Sequence, residues 1–154
     1  MAPIDDPRFP NGRKTPSEQY RYIRMAGVIN DVDMLKKAIE NGADVNELTD
    51  DGESALLTAC YNGSEDVVRA LLDAKADPNL TSGPVNYDHS PLMQAAYWGI
   101  NKNIVEMLLD AGAEPTHKDT RDKSTLDYLK GEEGHNKDRF KEMLAFFEEC
   151  GIDE

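Results

Sequence analysis

A phrase that recurs about 36 residues along the chain constrains its fold more than any other feature. One copy runs Gly52-Glu-Ser-Ala-Leu-Leu-Thr-Ala-Cys-Tyr-Asn-Gly63, followed by Val67-Val68, Leu71-Leu72 and Ala76-Asp-Pro-Asn79. The other runs His89-Ser-Pro-Leu-Met-Gln-Ala-Ala-Tyr-Trp-Gly99, followed by Ile104-Val105, Leu108-Leu109 and Ala113-Glu-Pro-Thr116. Self-similarity at this period marks stacked supersecondary units, each burying its apolar face against its neighbours. Leu56 to Leu92 spans 36 positions but Leu71 to Leu108 spans 37, so the third unit carries one extra residue, expected in the turn after Gly99. An array of this kind offers a long recognition surface rather than a closed reaction pocket. The question becomes which partner, not which reaction.

Local signals place the helices. Residues 1–14 hold three prolines, a glycine and mixed charges, and read as an irregular lead-in. Thr15-Pro16-Ser17-Glu18 is a capping box with proline at the first helical position, so a helix is expected to start there with Tyr20, Ile23 and Ala26 turned inward. A second helix after Asn30 carries Met34, Leu35, Ala38 and Ile39, and Gly42 ends it with a left-handed cap. Ser54 and Ser90 are expected to cap the first helices of the next two units, and Ser64 the second helix of the middle one. Ser124-Thr-Leu-Asp127 opens a divergent fourth unit, whose second helix is the amphipathic run 138–149 with Phe140, Met143, Leu144 and Phe147 on one side. The expected architecture is all-α, a short solenoid with units at about 15–48, 49–81, 82–118 and 119–150, the outer two acting as caps, and a tail at 151–154.

Gly42-Ala-Asp-Val-Asn46, with weaker copies at Lys75-Ala-Asp-Pro-Asn79 and Gly112-Ala-Glu-Pro-Thr116, resembles the finger phrase of the ankyrin repeat. The resemblance covers roughly residues 15–150 and implies a unit of turn, two antiparallel helices and an extended finger. The family's Thr-Pro-Leu-His turn appears as Ser-Ala-Leu-Leu57, Ser-Pro-Leu-Met93 and Ser-Thr-Leu-Asp127, without its histidine. Lys75 stands where glycine is usual at a helix end, a substitution that costs about 1 kcal/mol if the backbone there is left-handed. The finger before the third unit, 81–89, is long, and an extended finger suggests a recognition element.

Charge narrows the partner. The 154 residues carry a net −13, while residues 1–24 carry five basic and three acidic side chains. The remainder therefore carries −15, and 31–80 alone has twelve acids against four bases. Such a surface disfavours nucleic acid and anionic membrane, both of which are bound through cationic contacts. It would steer a basic protein toward it, and it opposes homotypic packing, so a monomer is expected. No apolar run approaches the ~18 residues of a membrane span. The start of the chain has no cationic, apolar leader, and Cys60 and Cys150 form no Cys-x-x-Cys pair, so a reducing, cytoplasmic setting is the simplest expectation.

No catalytic constellation emerges, and neither cofactor nor metal is expected. His89, His117 and His135 fall on fingers and a loop without metal-ligand spacing, and are expected to be solvated. Cys60 occupies a small core position, and Asp50-Asp51 before Gly52-Glu53 lacks the later ligands of a calcium loop. The binding face is more promising. The resemblance implies that partners are gripped by finger tips and the exposed side of each first helix. Those positions are Asp50, Asp51, Glu53, Tyr61 and Asn62 in the second unit, Asn86, Tyr87, His89, Tyr97 and Trp98 in the third, and Thr120, Arg121 and Lys123 in the fourth. Carboxylates beside tyrosines and the only tryptophan suit an interface with a basic patch. The expected function is a non-catalytic protein-interaction module, in one version a stand-alone inhibitor of the immunity or antitoxin type. The alternatives are a cytoplasmic adaptor or regulatory subunit with several partners, and a small-ligand protein or enzyme with an atypical site.

Overall fold

A computed structural model describes residues 18–49, 51–98, 100–131 and 137–153. The regular elements among the described residues are helices, joined by turns and extended fingers: α1 (Glu18–Ile29), α2 (Val32–Glu40), α3 (Ala55–Asn62), α4 (Glu65–Asp73), α5 (Pro91–Met93), α6 (Lys102–Asp110), α7 (Thr125–Gly131) and α8 (Lys137–Glu149). A 3-10 turn at Pro84–Asn86 sits in the long finger, and α5 runs into a π-helical turn at Gln94–Trp98. First helices stack in the order α1, α3, α5 with its π turn, then α7; α2, α4 and α6 line up behind them, and α8 packs on α7. The lead-in, Thr15, Pro16 and Ser17 of the capping box, and His135 lie outside the described residues.

The helices form where apolar periodicity and capping agree. Asp31 accepts from Met34 N at 3.0 Å, Ser54 from Leu57 N at 3.1 Å and Ser90 from Met93 N at 3.2 Å. Ser124 and Asp127 cap each other reciprocally at the start of α7. The inward faces are fully buried: Ile23 and Ala26 of α1, Leu35 of α2, Ala59 and Cys60 of α3, Val67, Val68 and Leu71 of α4, Ile104, Val105 and Leu108 of α6, and Phe147 of α8. Burying each larger aliphatic side chain stabilises by about 2 kcal/mol, which the short helices need because none is stable alone.

Ser64 behaves differently from the expectation. Its hydroxyl does not cap α4 but donates to Gly27 O at 2.5 Å, tying the second unit to the first. The α4 N-terminus is satisfied from the preceding unit instead, where Asn30 Oδ1 accepts from Val67 N at 3.2 Å. Asn30 reaches it by adopting a left-handed φ of 57°. The finger phrases stack through asparagine: Asn46 Oδ1 accepts from Asp77 N, and Asn79 Oδ1 from Glu114 N, both at 2.8 Å. Lys75 is left-handed at φ 69°, where Gly42 and Gly112 stand at 89° and 93°.

The extra residue of the third unit is also taken up differently. In the second unit Ser64 N bonds back to Ala59 O, five residues away; in the third, Asn101 N bonds to Ala95 O, six residues away. The helix itself widens into the π turn over Gln94–Trp98, ahead of the turn after Gly99. Widening inside the helix keeps its backbone hydrogen bonds, which a bulge in the following turn would leave open.

Candidate functional site

The first helices and the fingers enclose a concave groove of about 470 Å³. Its lining includes Arg24 from α1, Glu53 and Tyr61 from the second unit, and Tyr87, His89 and Trp98 from the third. The second-unit finger is closed by Thr49, which bonds Glu53 through both N and Oγ1 at 2.9 Å. Gly52 at its tip is left-handed, φ 78°, and a Cβ there would lie 1.7 Å from Ser82 O of the long finger. Glycine is therefore what lets two fingers touch. Behind it, Tyr20 OH donates to Glu53 O at 3.0 Å and Arg24 pairs with the Glu53 carboxylate at 2.7 Å.

The long finger is ordered by its own polar groups. Ser82 N bonds His89 O at 2.9 Å, His89 N bonds Ser82 Oγ at 2.8 Å, and Ser82 Oγ donates to Asn86 O at 2.7 Å. Tyr87 and Asp88 are consecutive left-handed residues at φ 63° and 59°. The last finger holds them from the side: Thr120 N bonds Tyr87 O at 3.0 Å, and His117 Nε2 lies 2.8 Å from Asp88 O.

Between these two fingers lies a polar knot in which Asp119 and His89 are buried, Tyr128 is half-buried and Arg121 is exposed. The Asp119 side chain is wholly buried, and its Oδ1 accepts from Arg121 N at 2.8 Å and Lys123 N at 3.0 Å. Its Oδ2 accepts from the Tyr128 hydroxyl, lies 3.4 Å from Arg121 Nε and 3.6 Å from His89 Nε2. Arg121 also reaches His89 Nε2 at 3.3 Å and the Tyr128 oxygen, and its guanidinium lies 4.4 Å above the Tyr87 ring. Burial pushes the Asp119 carboxyl upward, but the Tyr128 hydroxyl, the Lys123 and Arg121 N–H groups and the Arg121 charge outweigh it and hold it below the ordinary range. Burial lowers the His89 pKa, and the Arg121 and His117 charges add to that against the opposing pull of Asp119 and Asp88. Burial together with the Asp119 carboxylate pushes Tyr128 up to about 12.

The residues singled out in the sequence divide into groups. Glu53, Tyr61, Asn62, Tyr87, His89 and Trp98 line the one groove. Asp51 is exposed at the finger tip, and Asp50 lies outside the described residues. Arg121 does not line the groove but lies over the ring of Tyr87, which does. Tyr97 and Trp98 are half-buried rather than exposed: Tyr97 stacks on Phe140 of α8 at 5.3 Å, and Trp98 packs on His89 at 4.6 Å. His89 is only 7% exposed, and His117 is half-buried against Asp88, so neither is the solvated loop histidine expected. Of the carboxylates, Glu53 is already paired. Arg24 was missed, although carrying the first-helix alignment back to α1 would have placed it in the groove. Asp119 and Tyr128 were missed too; the Asp-x-Arg turn at 119–121 was the one available signal. Among the described residues no group of three His, Cys, Asp or Glu side chains is placed to hold a metal ion, and no helix is long and apolar enough to cross a membrane.

Comparison with known proteins places these units in context. A family model described as ankyrin repeats, in three copies, matches residues 23–119, more than half of the 154. An ankyrin repeat protein of Acanthamoeba polyphaga mimivirus is 31% identical over 106 residues, covering 69% of this chain and 14% of the relative. An ankyrin repeat-containing protein of Treponema pallidum is 32% identical over 99 residues, 64% of this chain and 32% of the relative. The mitochondrial disaggregase of Bos taurus is 39% identical over 67 residues, 44% of this chain and 10% of the relative. The chain thus spans about a third or less of these relatives' length.

Proposed function

The chain belongs to the ankyrin repeat family, a fold of protein–protein interaction modules, and from that premise we propose that it binds one protein partner in the concave groove between its first helices and fingers. The observation that carries this reading is the convergence of Tyr61, Tyr87 and Trp98 on one groove, with Tyr61 56% and Tyr87 50% exposed. Two tyrosine rings open to solvent beside a half-buried tryptophan on a concave surface are the kind of anchors a protein interface uses. The partner carries a basic patch: the net −13 steers cations to the chain, and Asp51 is exposed next in sequence to Gly52, which lines the groove. Glu53 contributes by exchange, since an incoming Lys or Arg side chain would share the carboxylate that Arg24 holds. The role is non-catalytic, the free protein is a monomer, and the concrete version is an inhibitor that masks a cationic effector. Both cysteines are free thiols, which fits a reducing, cytoplasmic compartment.

Affinity capture from native lysate with wild type beside a Tyr61→Ala/Tyr87→Ala variant tests the reading. Because the Tyr87 ring packs under the Arg121 guanidinium, the variant is melted beside wild type to establish that it is folded at the capture temperature. One dominant basic protein, lost with the variant, is the expected result. Several partners would favour the adaptor reading, and capture indifferent to the two tyrosines would move the interface elsewhere.

A further inference from the structure

His89 and Arg121 meet at a contact whose sign depends on a proton. Arg121 has only donors to offer, and its terminal nitrogen lies 3.3 Å from His89 Nε2. Read as a hydrogen bond, this contact has Nε2 accepting, so the neutral ring carries its proton on Nδ1. Asp119 Oδ2 waits 3.6 Å from the same Nε2. Protonating Nε2 turns it from acceptor to donor, so it turns away from the guanidinium and toward the carboxylate. His117 is built in the opposite sense: its Nε2 lies 2.8 Å from the Asp88 carbonyl, so it already donates and a second proton leaves that bond intact.

We propose that His89 is a proton-operated latch between the long finger and the last finger: neutral, it holds Arg121 over Tyr87; protonated, it takes Asp119 for itself and releases Arg121, so that the groove changes shape with pH. The inference concerns regulation of the groove assigned above and rests on that reading for its consequence, though not for the latch itself. The groups facing His89 are Tyr87 and Asp88 on its own finger, His117, Asp119 and Arg121 on the last finger, Tyr128 on α7, and Arg24 and Glu53 across the groove. Arg121 and His117 oppose the added proton, Asp119 and Asp88 favour it, and burial opposes it most. The transition therefore falls below the ordinary histidine value of 6.5. The Trp98 ring lies against His89, tilted by 39° with centroids 4.6 Å apart, and so reports on it directly.

Trp98 is the only tryptophan, so its emission can be followed in the purified chain, without a partner, from about pH 8 to about pH 4.5. A one-proton transition centred below 6.5 is expected in wild type and in His117→Gln, and its loss in His89→Gln. In parallel, the imidazole resonances and the Arg121 Nε–H cross-peak are followed by NMR in wild type, which needs no folded variant. His89 should titrate with the same midpoint, and the Arg121 cross-peak should fade as it does so. A His89 ring that titrates at or above 6.5, an Arg121 signal unchanged across its titration, or an emission transition retained in a folded His89→Gln would overturn the latch. Because no partner is present, failure of the binding reading leaves this outcome untouched, and the reverse holds too.

Discussion

Replacing Tyr97 by alanine separates a packing role from a binding role most sharply. Tyr97 lies in the π turn, half-buried, with Phe140 of α8 stacked at 5.3 Å and interplanar 10°, Tyr128 of α7 at 5.0 Å and Trp98 at 4.6 Å. Truncating a fully buried aromatic costs about 4 kcal/mol, so a half-buried one should cost about 2. Losing the paired rings adds about 1 kcal/mol. The total, about 3 kcal/mol, corresponds to roughly a 10 °C lower Tm for a chain of this size. The loss should be local, because stability in a repeat array is a sum of unit and neighbour-interface terms, and the interface removed joins the third unit to the fourth. Urea unfolding followed by circular dichroism and Trp98 emission checks it, with Tyr61→Ala as the exposed control, expected to stay within about 0.5 kcal/mol of wild type. If Tyr97→Ala matches Tyr61→Ala, the stack on Phe140 contributes nothing and the packing argument fails.

Three further substitutions test particular contacts. Gly52→Ala places a Cβ 1.7 Å from Ser82 O at a left-handed φ of 78°, and should destabilise by about 3 kcal/mol in the same urea assay. Lys75→Gly removes side-chain strain at φ 69° and should stabilise by about 1 kcal/mol, seen as a higher melting temperature. Asp119→Asn addresses pH. The folded carboxyl titrates below its unfolded value of 3.8, so its contribution is present above that value and is lost as pH falls through the folded pKa. Unfolding titrations from about pH 5 to about pH 2.5 should therefore show a steeper acid loss in wild type than in the asparagine variant.

The fold was legible because the repeated phrases encode contacts between units and not only helices. Asn46 and Asn79 recur because each accepts from the next finger's backbone, so the spelling of the finger carries its stacking. Ser54, Ser90 and Ser124 cap within their own helices, and a local rule suffices for them. Ser64 and Asn30 escaped because each serves a partner 37 residues away, which helix-end chemistry cannot reveal. Part of the groove was legible for the same reason that the fold was: alignment carries a position along a helix axis. It does not carry rotation about that axis. The π turn widens the helix at Gln94–Trp98, and Tyr97 and Trp98 therefore face α7, α8 and His89 rather than open solvent.

What the long finger adds is pre-organisation. Two consecutive non-glycine residues in the left-handed region cost on the order of 1–2 kcal/mol each. Such strain persists only where the surroundings over-determine it, and it gathers at sites that must hold one shape. Here Tyr87 and Asp88 carry it, and the Ser82 bonds, the Thr120 N–H and the His117 ring hold it in place. Arg121 then lies over the Tyr87 ring, while half of the residue's surface stays open to solvent. A partner meeting this finger orders little that is not ordered already, which lowers the entropy lost on binding. The same bracing makes the finger answer to the knot behind it: Asp119, Arg121 and His89 set the position of Tyr87, so a change in any of them reaches the groove without touching a partner.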